Sequence, residues 1–328
     1  MTDDCVLVTG GAGYIGSHVA LALLETGRRV IVADNLVTGR RELVPDDAEF
    51  VETDIADMDR MATVLRENRC RAVMHFAGST VVPESVEDPL KYYGNNTCAS
   101  RNLLQAATAE GVERFIFSST AAVYGNPETL PVDEAVALSP VSPYGKSKLM
   151  TENMLQDVAA ATELRYIALR YFNVAGADPQ GRSGQSTPNA THLIKAACEA
   201  ACGTRESITI FGDDYDTPDG TGVRDYIHVS DLARAHIVAL DHLANGGASN
   251  VMNCGYGRGY SVQAVLDTLR DISGVDFQVN MGPRRAGDVG EIYAATNRIR
   301  EALGWVPEHD DLREIVGSAY TWERRMTA

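Results

Sequence analysis

Seven residues, Gly10-Gly11-Ala12-Gly13-Tyr14-Ile15-Gly16, constrain this chain more than any others. They follow a short apolar run, Cys5-Val6-Leu7-Val8-Thr9, and precede a helical pattern from about Ser17 to Glu25 that Gly27 closes. A buried strand that turns into a helix through glycines is the opening of a parallel α/β unit. Gly10, Gly13 and Gly16 give the spacing G-x-x-G-x-x-G, and Gly11, Gly13 and Gly16 give G-x-G-x-x-G. Glycines at these places permit a tight turn and close approach of the backbone to a pyrophosphate, which then rests on the helix N-terminus. The turn predicts a dinucleotide site.

The rest of the first half repeats the alternation. Apolar strand-like segments lie at 30–33, 49–52, 72–76, 114–118 and 166–170, the first of these ending at Asp34 and the next near Asp54. Helical patterns lie at 58–67, at 91–110 and from Pro143 toward Ala161. Alternating strands and helices require a parallel sheet covered on both faces, so the expected class is α/β, a Rossmann-type doubly wound parallel sheet. After about Asn173 the texture changes. Loops rich in Gly, Pro, Ser and Asp occupy 175–189 and 212–225, with helical patterns at 191–202, 230–244, 261–273 and 311–325. Long loops in a compact chain are commonly functional. The expected organisation is a dinucleotide domain over 1–174 and a smaller mixed α/β substrate domain over 175–328, with some segments returning to the first.

Charge narrows the partners. Lys and Arg number 29 against 45 Asp and Glu, a net charge of −16. Nucleic acid and anionic membrane would be repelled over most of such a surface, whereas a small anionic ligand needs only a few local arginines. No apolar run reaches the length of a bilayer span, and the N-terminus has no basic segment leading into an apolar stretch. The six cysteines are scattered, with no Cys-x-x-Cys and no histidine at zinc-like spacing, so reduced cysteines in a cytoplasmic protein without a metal are expected.

Two further features carry chemistry. Asp34 stands eighteen positions after Gly16 at a strand end, where a carboxylate accepts hydrogen bonds from an adenine ribose and repels a 2′-phosphate, which favours NAD over NADP. Arg40 and Arg41 nearby read as a solvated basic patch. Ser142-Pro143-Tyr144-Gly145-Lys146-Ser147-Lys148 begins a helix with a good N-cap and a proline at its first position. Tyr144 and Lys148 are four apart and share a helix face. A phenol titrates near pH 10, and a neighbouring ammonium lowers that value, so the pair is expected to be a tuned acid/base.

Together the glycine turn and Tyr144-x-x-x-Lys148 resemble the extended short-chain dehydrogenase/reductases. Gly13 to His18, Asp34-Asn35-Leu36, His75-Phe76-Ala77-Gly78, Ser142 to Lys148, Arg170-Tyr171-Phe172-Asn173 and Gly220 to His228 together resemble the UDP-glucose 4-epimerase family over nearly the whole chain. The resemblance implies that tightly bound NAD is held by the turn (Gly10, Gly13, Tyr14, Ile15, Gly16), by Asp34, Asn35, Asp54 and Ile55, by Phe76, Ala77 and Gly78, and by Asn95, Tyr144, Lys148 and Phe172. It implies catalysis by Tyr144 with Thr120 and Lys148, and a UDP-sugar held by Thr120, Tyr144, Asn173, Leu193, Phe211, Arg224, Tyr226, Arg285 and Asp288. The implied reaction interconverts UDP-glucose and UDP-galactose by reversible hydride transfer at sugar C4 through a 4-keto intermediate. The implied assembly is a homodimer through helices at about 91–110 and 144–161.

The chain departs from the family pattern in places. Thr80 stands where a lysine is frequent, Thr191-His192-Leu193 replaces Asn-Asn-Leu, and Ile292 stands at the position that sets the size of the sugar pocket. A 4-epimerase of UDP-N-acetylglucosamine or of UDP-xylose/arabinose is the alternative. Thr120 is followed by Ala121 and Ala122, which transfer no protons, where related dehydratases carry an acid and a base.

Overall fold

The computed structural model describes residues 5–187, 190–285 and 289–327. In chain order the first half runs β1 (Cys5–Thr9), α1 (Tyr14–Glu25), β2 (Arg29–Asp34), β3 (Glu49–Glu52), α2 (Met58–Asn68), β4 (Ala72–His75), α3 (Val82–Glu87), α4 (Pro89–Tyr92), α5 (Ala99–Ala109), β5 (Arg114–Ser118), α6 (Pro143–Ala161) and β6 (Arg165–Tyr171). The second half runs β7 (Asn173–Ala175), α7 (Leu193–Ala201), β8 (Ser207–Phe211), β9 (Val223–Arg224), β10 (Tyr226–His228), α8 (Val229–Ala244), β11 (Asn250–Cys254), β12 (Tyr260–Ser261), α9 (Val262–Ser273), β13 (Gln278–Gly282), β14 (Glu291–Ile292), α10 (Asn297–Leu303) and α11 (Leu312–Thr327).

Seven parallel strands form the central sheet in the order β11-β6-β5-β4-β1-β2-β3. The order reverses between β1 and β4, and ligands of open α/β sheets bind outside the strand ends at such a reversal. β1 shows why both faces must be covered. Val6 and Val8 point into the layer that holds α1 and α8, while Cys5 and Leu7 point into the layer that holds α2, α5 and α6. Successive side chains of a strand alternate faces, and burying each Val or Leu contributes about 1.5–3 kcal/mol. The seventh strand, β11, comes from beyond residue 174, and α8 lies on α1, so the chain returns to the central sheet after β7–β10.

The remaining strands make three small sheets: β10 beside β7, β12-β9-β14, and β13 beside β8. The pattern at 91–110 does not give one continuous helix. α4 and α5 are joined by a π-helical turn over Tyr93–Cys98. The extra residue per turn rotates Asn96 inward, where it is buried, while Asn95 stays exposed.

Candidate active site

The glycine turn is built around two close approaches. Gly10 has φ +71°, and a Cβ there would lie 2.5 Å from the Ala77 nitrogen. A Cβ on Gly16 would lie 2.3 Å from the Gly10 carbonyl oxygen. Only glycine fits at either place, so the loop after β1 sits directly against the loop after β4. The first turn of α1 has no side-chain cap and no acidic residue, which leaves its backbone N–H groups and the positive end of the helix dipole for an anion. The cradle fits a dinucleotide pyrophosphate. Tyr14 Oη donates to the Gly176 carbonyl at 2.6 Å and ties the turn to the second lobe.

Asp34, at the end of β2, accepts from the Ala12 N–H at 3.0 Å and the Leu36 N–H at 2.9 Å. Burial raises its carboxyl above the ordinary value, and these two donors oppose the shift. Asn35 Nδ2 donates to Asp54 Oδ2 at 3.0 Å, which joins two of the predicted adenosine-side residues, and Ile55 is buried behind them. Arg41 lies over the Phe50 ring at 4.7 Å. On the other side of the reversal, Phe76 packs on His236 at 4.8 Å between ring centres. Asn95 Nδ2 reaches Ser79 Oγ at 3.0 Å, whereas buried Asn96 accepts from the Ser79 N–H at 2.7 Å and donates to Ser147 Oγ at 3.1 Å. Asn96 thus clamps the Gly78-Ser79 turn to α6.

Ser142 caps α6 by accepting from the Gly145 N–H at 3.2 Å, with Pro143 in the first helical position. Tyr144 and Lys148 lie on the buried face of that helix, and the Thr120 side chain acts on the Tyr144 phenol in favour of its ionised form. Lys148 Nζ donates to the Ser118 carbonyl at 2.9 Å and sits 5.0 Å from the Phe117 ring centre. The electrostatics differ from the sequence expectation. Burial raises the Tyr144 phenol above its ordinary value, and the Thr120 side chain is what opposes it. Burial pushes the Lys148 ammonium down to about 8, with Glu152 acting against that shift. Desolvation is the largest influence on both groups.

The predicted sugar-nucleotide residues come from β7, α7, β8, β9, β10 and the segment after β13. Asn173 begins β7 and donates its N–H to the Asp225 carbonyl at 3.0 Å. Leu193 begins α7, and the departing residue His192 is paired through Nδ1 with Gln185 Nε2 at 2.8 Å. Arg224 Nη1 donates to the carbonyls of Val223 at 2.9 Å and Gly290 at 3.2 Å. The Arg285 guanidinium lies 3.7 Å from the Phe211 ring centre, a stacked pair on the exposed side of the lobe. Tyr226 is buried, and Arg224 beside it partly opposes the upward push of burial on its phenol. Ile292 is paired in register with Arg224 and packs with Ala121, Val123 and Phe172. Ile292 and Phe172 therefore share one apolar patch with the segment after Thr120. Asp288 lies outside the described residues.

Sequence reasoning missed Asn96, Glu152 and Asp225. Asn96 was hidden by the π-helical turn. Glu152 had a signal in its spacing, four residues beyond Lys148 on the same face. Asp225 accepts from the N–H groups of Tyr256, Gly257 and Ala294, partners supplied from far along the chain.

A glycine cradle at the reversal of a doubly wound sheet, next to a buried Thr–Tyr–Lys group, defines the class of dinucleotide-dependent enzymes that move a proton together with a hydride. The model of the NAD dependent epimerase/dehydratase family matches residues 6–255. The chain is 57% identical over 331 residues to the UDP-glucose 4-epimerase of Azospirillum brasilense, covering 99% of this chain and 95% of that one. It is similar to the structure of the Brucella ovis UDP-glucose 4-epimerase in complex with NAD, at a TM-score of 0.95 and 44% identity over 98% of each chain. It is also similar to the Bifidobacterium longum UDP-glucose 4-epimerase in complex with NAD+ and UDP, at a TM-score of 0.92 and 37% identity over 98% of each chain. The chain belongs to the NAD dependent epimerase/dehydratase family and, within it, to the UDP-glucose 4-epimerases.

Proposed function

We propose that this protein interconverts UDP-glucose and UDP-galactose by inverting sugar C4. The observation that carries this reading is the buried Tyr144 phenol, which Thr120 helps to ionise, beside a segment in which Thr120 is followed by Ala121 and Ala122. One proton carrier is present, and the acid and base that elimination of water would need are absent from those two positions. Bound NAD supplies the hydride acceptor for C4 and the donor for its return, together with a positive charge near the phenol. Tyr144 Oη takes the proton of the 4-hydroxyl and later gives it back, with Thr120 Oγ orienting the hydroxyl. The Lys148 ammonium, held by the Ser118 carbonyl, favours the phenolate during that exchange. Arg224 and Arg285 hold the diphosphate, Phe211 and Leu193 flank the uracil, and Tyr226, Asn173 and Asp288 complete the sugar-nucleotide contacts. The 4-keto sugar turns over while the diphosphate stays fixed.

The cofactor reading follows the cradle. The turn at Gly10, Gly13, Tyr14, Ile15 and Gly16 takes the pyrophosphate. Asp34 and Asn35 take the ribose, and Asp54 and Ile55 the adenine side. Phe76, Ala77, Gly78, Asn95, Tyr144, Lys148 and Phe172 line the nicotinamide side. Residues 1–174 then hold NAD and 175–328 the sugar nucleotide, except for the stretch from α8 to β11. A homodimer belongs to the same reading: Val86, Leu90 and Met150 expose apolar side chains along the neighbouring helices α3, α4 and α6. The scattered cysteines, with no Cys-x-x-Cys among them, support a cytoplasmic location.

Tyr144→Phe tests the assignment. The variant keeps its bound NAD and loses turnover by about 10²–10⁴-fold, the usual contribution of a positioned acid/base. A Tyr144→Phe protein with near-wild-type turnover of UDP-galactose contradicts it.

A further inference from the structure

α6 carries a third charged residue on the face that bears Tyr144 and Lys148. Glu152 is 4% exposed and lies one further turn along. Each of the three residues reaches a different member of the segment that ends β5. Tyr144 meets the Thr120 hydroxyl, Lys148 meets the Ser118 carbonyl, and Glu152 Oε1 accepts from Ser119 Oγ. Arg170 on β6, also 4% exposed, grips Glu152 from behind through Nε at 3.0 Å and Nη2 at 2.6 Å. Its third nitrogen reaches Tyr124 Oη at 3.1 Å, and that hydroxyl donates to Asn253 Oδ1 at 2.6 Å. Every polar end of this chain of contacts is satisfied inside the protein, which is what keeps a buried ion pair in place.

We infer that Glu152 is a positioning residue for the reaction: its carboxylate, fixed by Arg170, keeps Lys148 charged and holds the Ser118–Thr120 segment in register with α6. The inference rests on the proposed role of Tyr144 and Lys148. The groups facing Lys148 explain why such a residue is needed. Glu152 acts on Lys148 from α6 and His75 faces it from β4, while Tyr171 from β6 and Tyr92 from α4 face the neighbouring Tyr144, and Arg170 from β6 faces Glu152. His75 is held neutral by burial, its value near 3, and is bonded to Thr9 and Ser100, so it offers no counter-charge. The tyrosines are neutral below the ordinary phenol range because burial raises them. Glu152 is the anion of this group. Lys148 releases its proton near 8 and is charged below that pH, so loss of the Glu152 charge moves the release to lower pH. A phenol beside a neutral lysine then ionises at higher pH.

The test uses the full-length holoenzyme with two changes, Glu152→Gln and the double change Glu152→Gln with Arg170→Gln. The second removes the guanidinium that the first strands in the interior, so a folded protein is available for measurement. Two readouts are taken: the pH profile of kcat, and tyrosinate absorbance with the Tyr144→Phe protein subtracted. In the holoenzyme the cofactor's positive charge beside the phenol brings Tyr144 below Lys148, so Tyr144 forms the acid limb and Lys148 the alkaline limb, and the expected result is a bell that narrows from both sides. The alkaline limb moves down and the acid limb moves up, each by about one unit, and the Tyr144 tyrosinate transition moves up with the acid limb. A lower plateau with both limbs and the tyrosinate transition unmoved overturns the inference and leaves Glu152 a purely structural residue. If Tyr144→Phe itself retains wild-type turnover, the reading of the active site has failed rather than this extension of it.

Discussion

Gly10 and Tyr144 stand at opposite ends of what a residue reveals. Gly10 is dictated by geometry alone: its φ is +71° and the Ala77 nitrogen occupies the space of its Cβ. Gly10→Ala is expected to cost about 1–2 kcal/mol from the left-handed backbone alone, with a further cost for displacing the backbone of Phe76 and Ala77. A lower denaturation midpoint and a protein purified with less NAD are the expected outcomes, and unchanged values of both contradict the cradle. Tyr144 and Lys148 were legible as a pair because four residues on a helix always share a face. Their ionisation was not legible. The sequence suggests a phenol pulled down by an ammonium, and the folded chain raises the phenol and lowers the ammonium because both are buried. Burial depends on what the other elements place around a group, which no local spacing records.

At the scale of elements, strands and helices with strong local patterns were readable, and their joints were not. β1, α1, β2, β4, β5 and α6 follow from apolar runs, a glycine turn and a capped helix start. The break between α4 and α5 falls in Tyr93-Gly94-Asn95-Asn96-Thr97-Cys98, a run of weak helix formers; such a run signals a weak point in a helix but not the change of phase that a π-turn makes. The pairing of β9, β12 and β14 depends on contacts between distant segments. Asp225 shows what holds that joint. It lies between Arg224 and Tyr226, and burial pushes its carboxyl up to about 6 against the pull of its three backbone donors. Asp225→Ala leaves those buried N–H groups without their acceptor, at an expected cost of about 3 kcal/mol in stability. It also frees Arg224 and Tyr226 from their shared frame, so KM for the UDP-sugar rises. Urea unfolding and steady-state kinetics check both effects. A variant with unchanged midpoint and KM contradicts the idea that this carboxylate sets the two flanking side chains.

At the scale of the whole molecule, the chain joins two tasks by passing through its first layer twice. β11 completes the sheet that positions the cofactor cradle, and its Asn253 is hydrogen-bonded to Tyr124, the end of the contacts that run back to Glu152. The same molecule carries a net charge of −16 and binds, on this account, a cofactor and a substrate that each bear a diphosphate. A helix N-terminus and a few arginines suffice for that, because the field near a bound anion is set by its closest donors. The central claim is that resident NAD and Tyr144 complete a closed cycle, with the hydride taken and returned in one turnover. The most direct measurement is to mix the protein as purified, with no added cofactor, with UDP-galactose and follow both sugar products and absorbance at about 340 nm. The account predicts conversion to an equilibrium mixture of UDP-galactose and UDP-glucose with no accumulation of free NADH. A reaction that proceeds only with added NAD and builds up NADH in step with an oxidised sugar contradicts it.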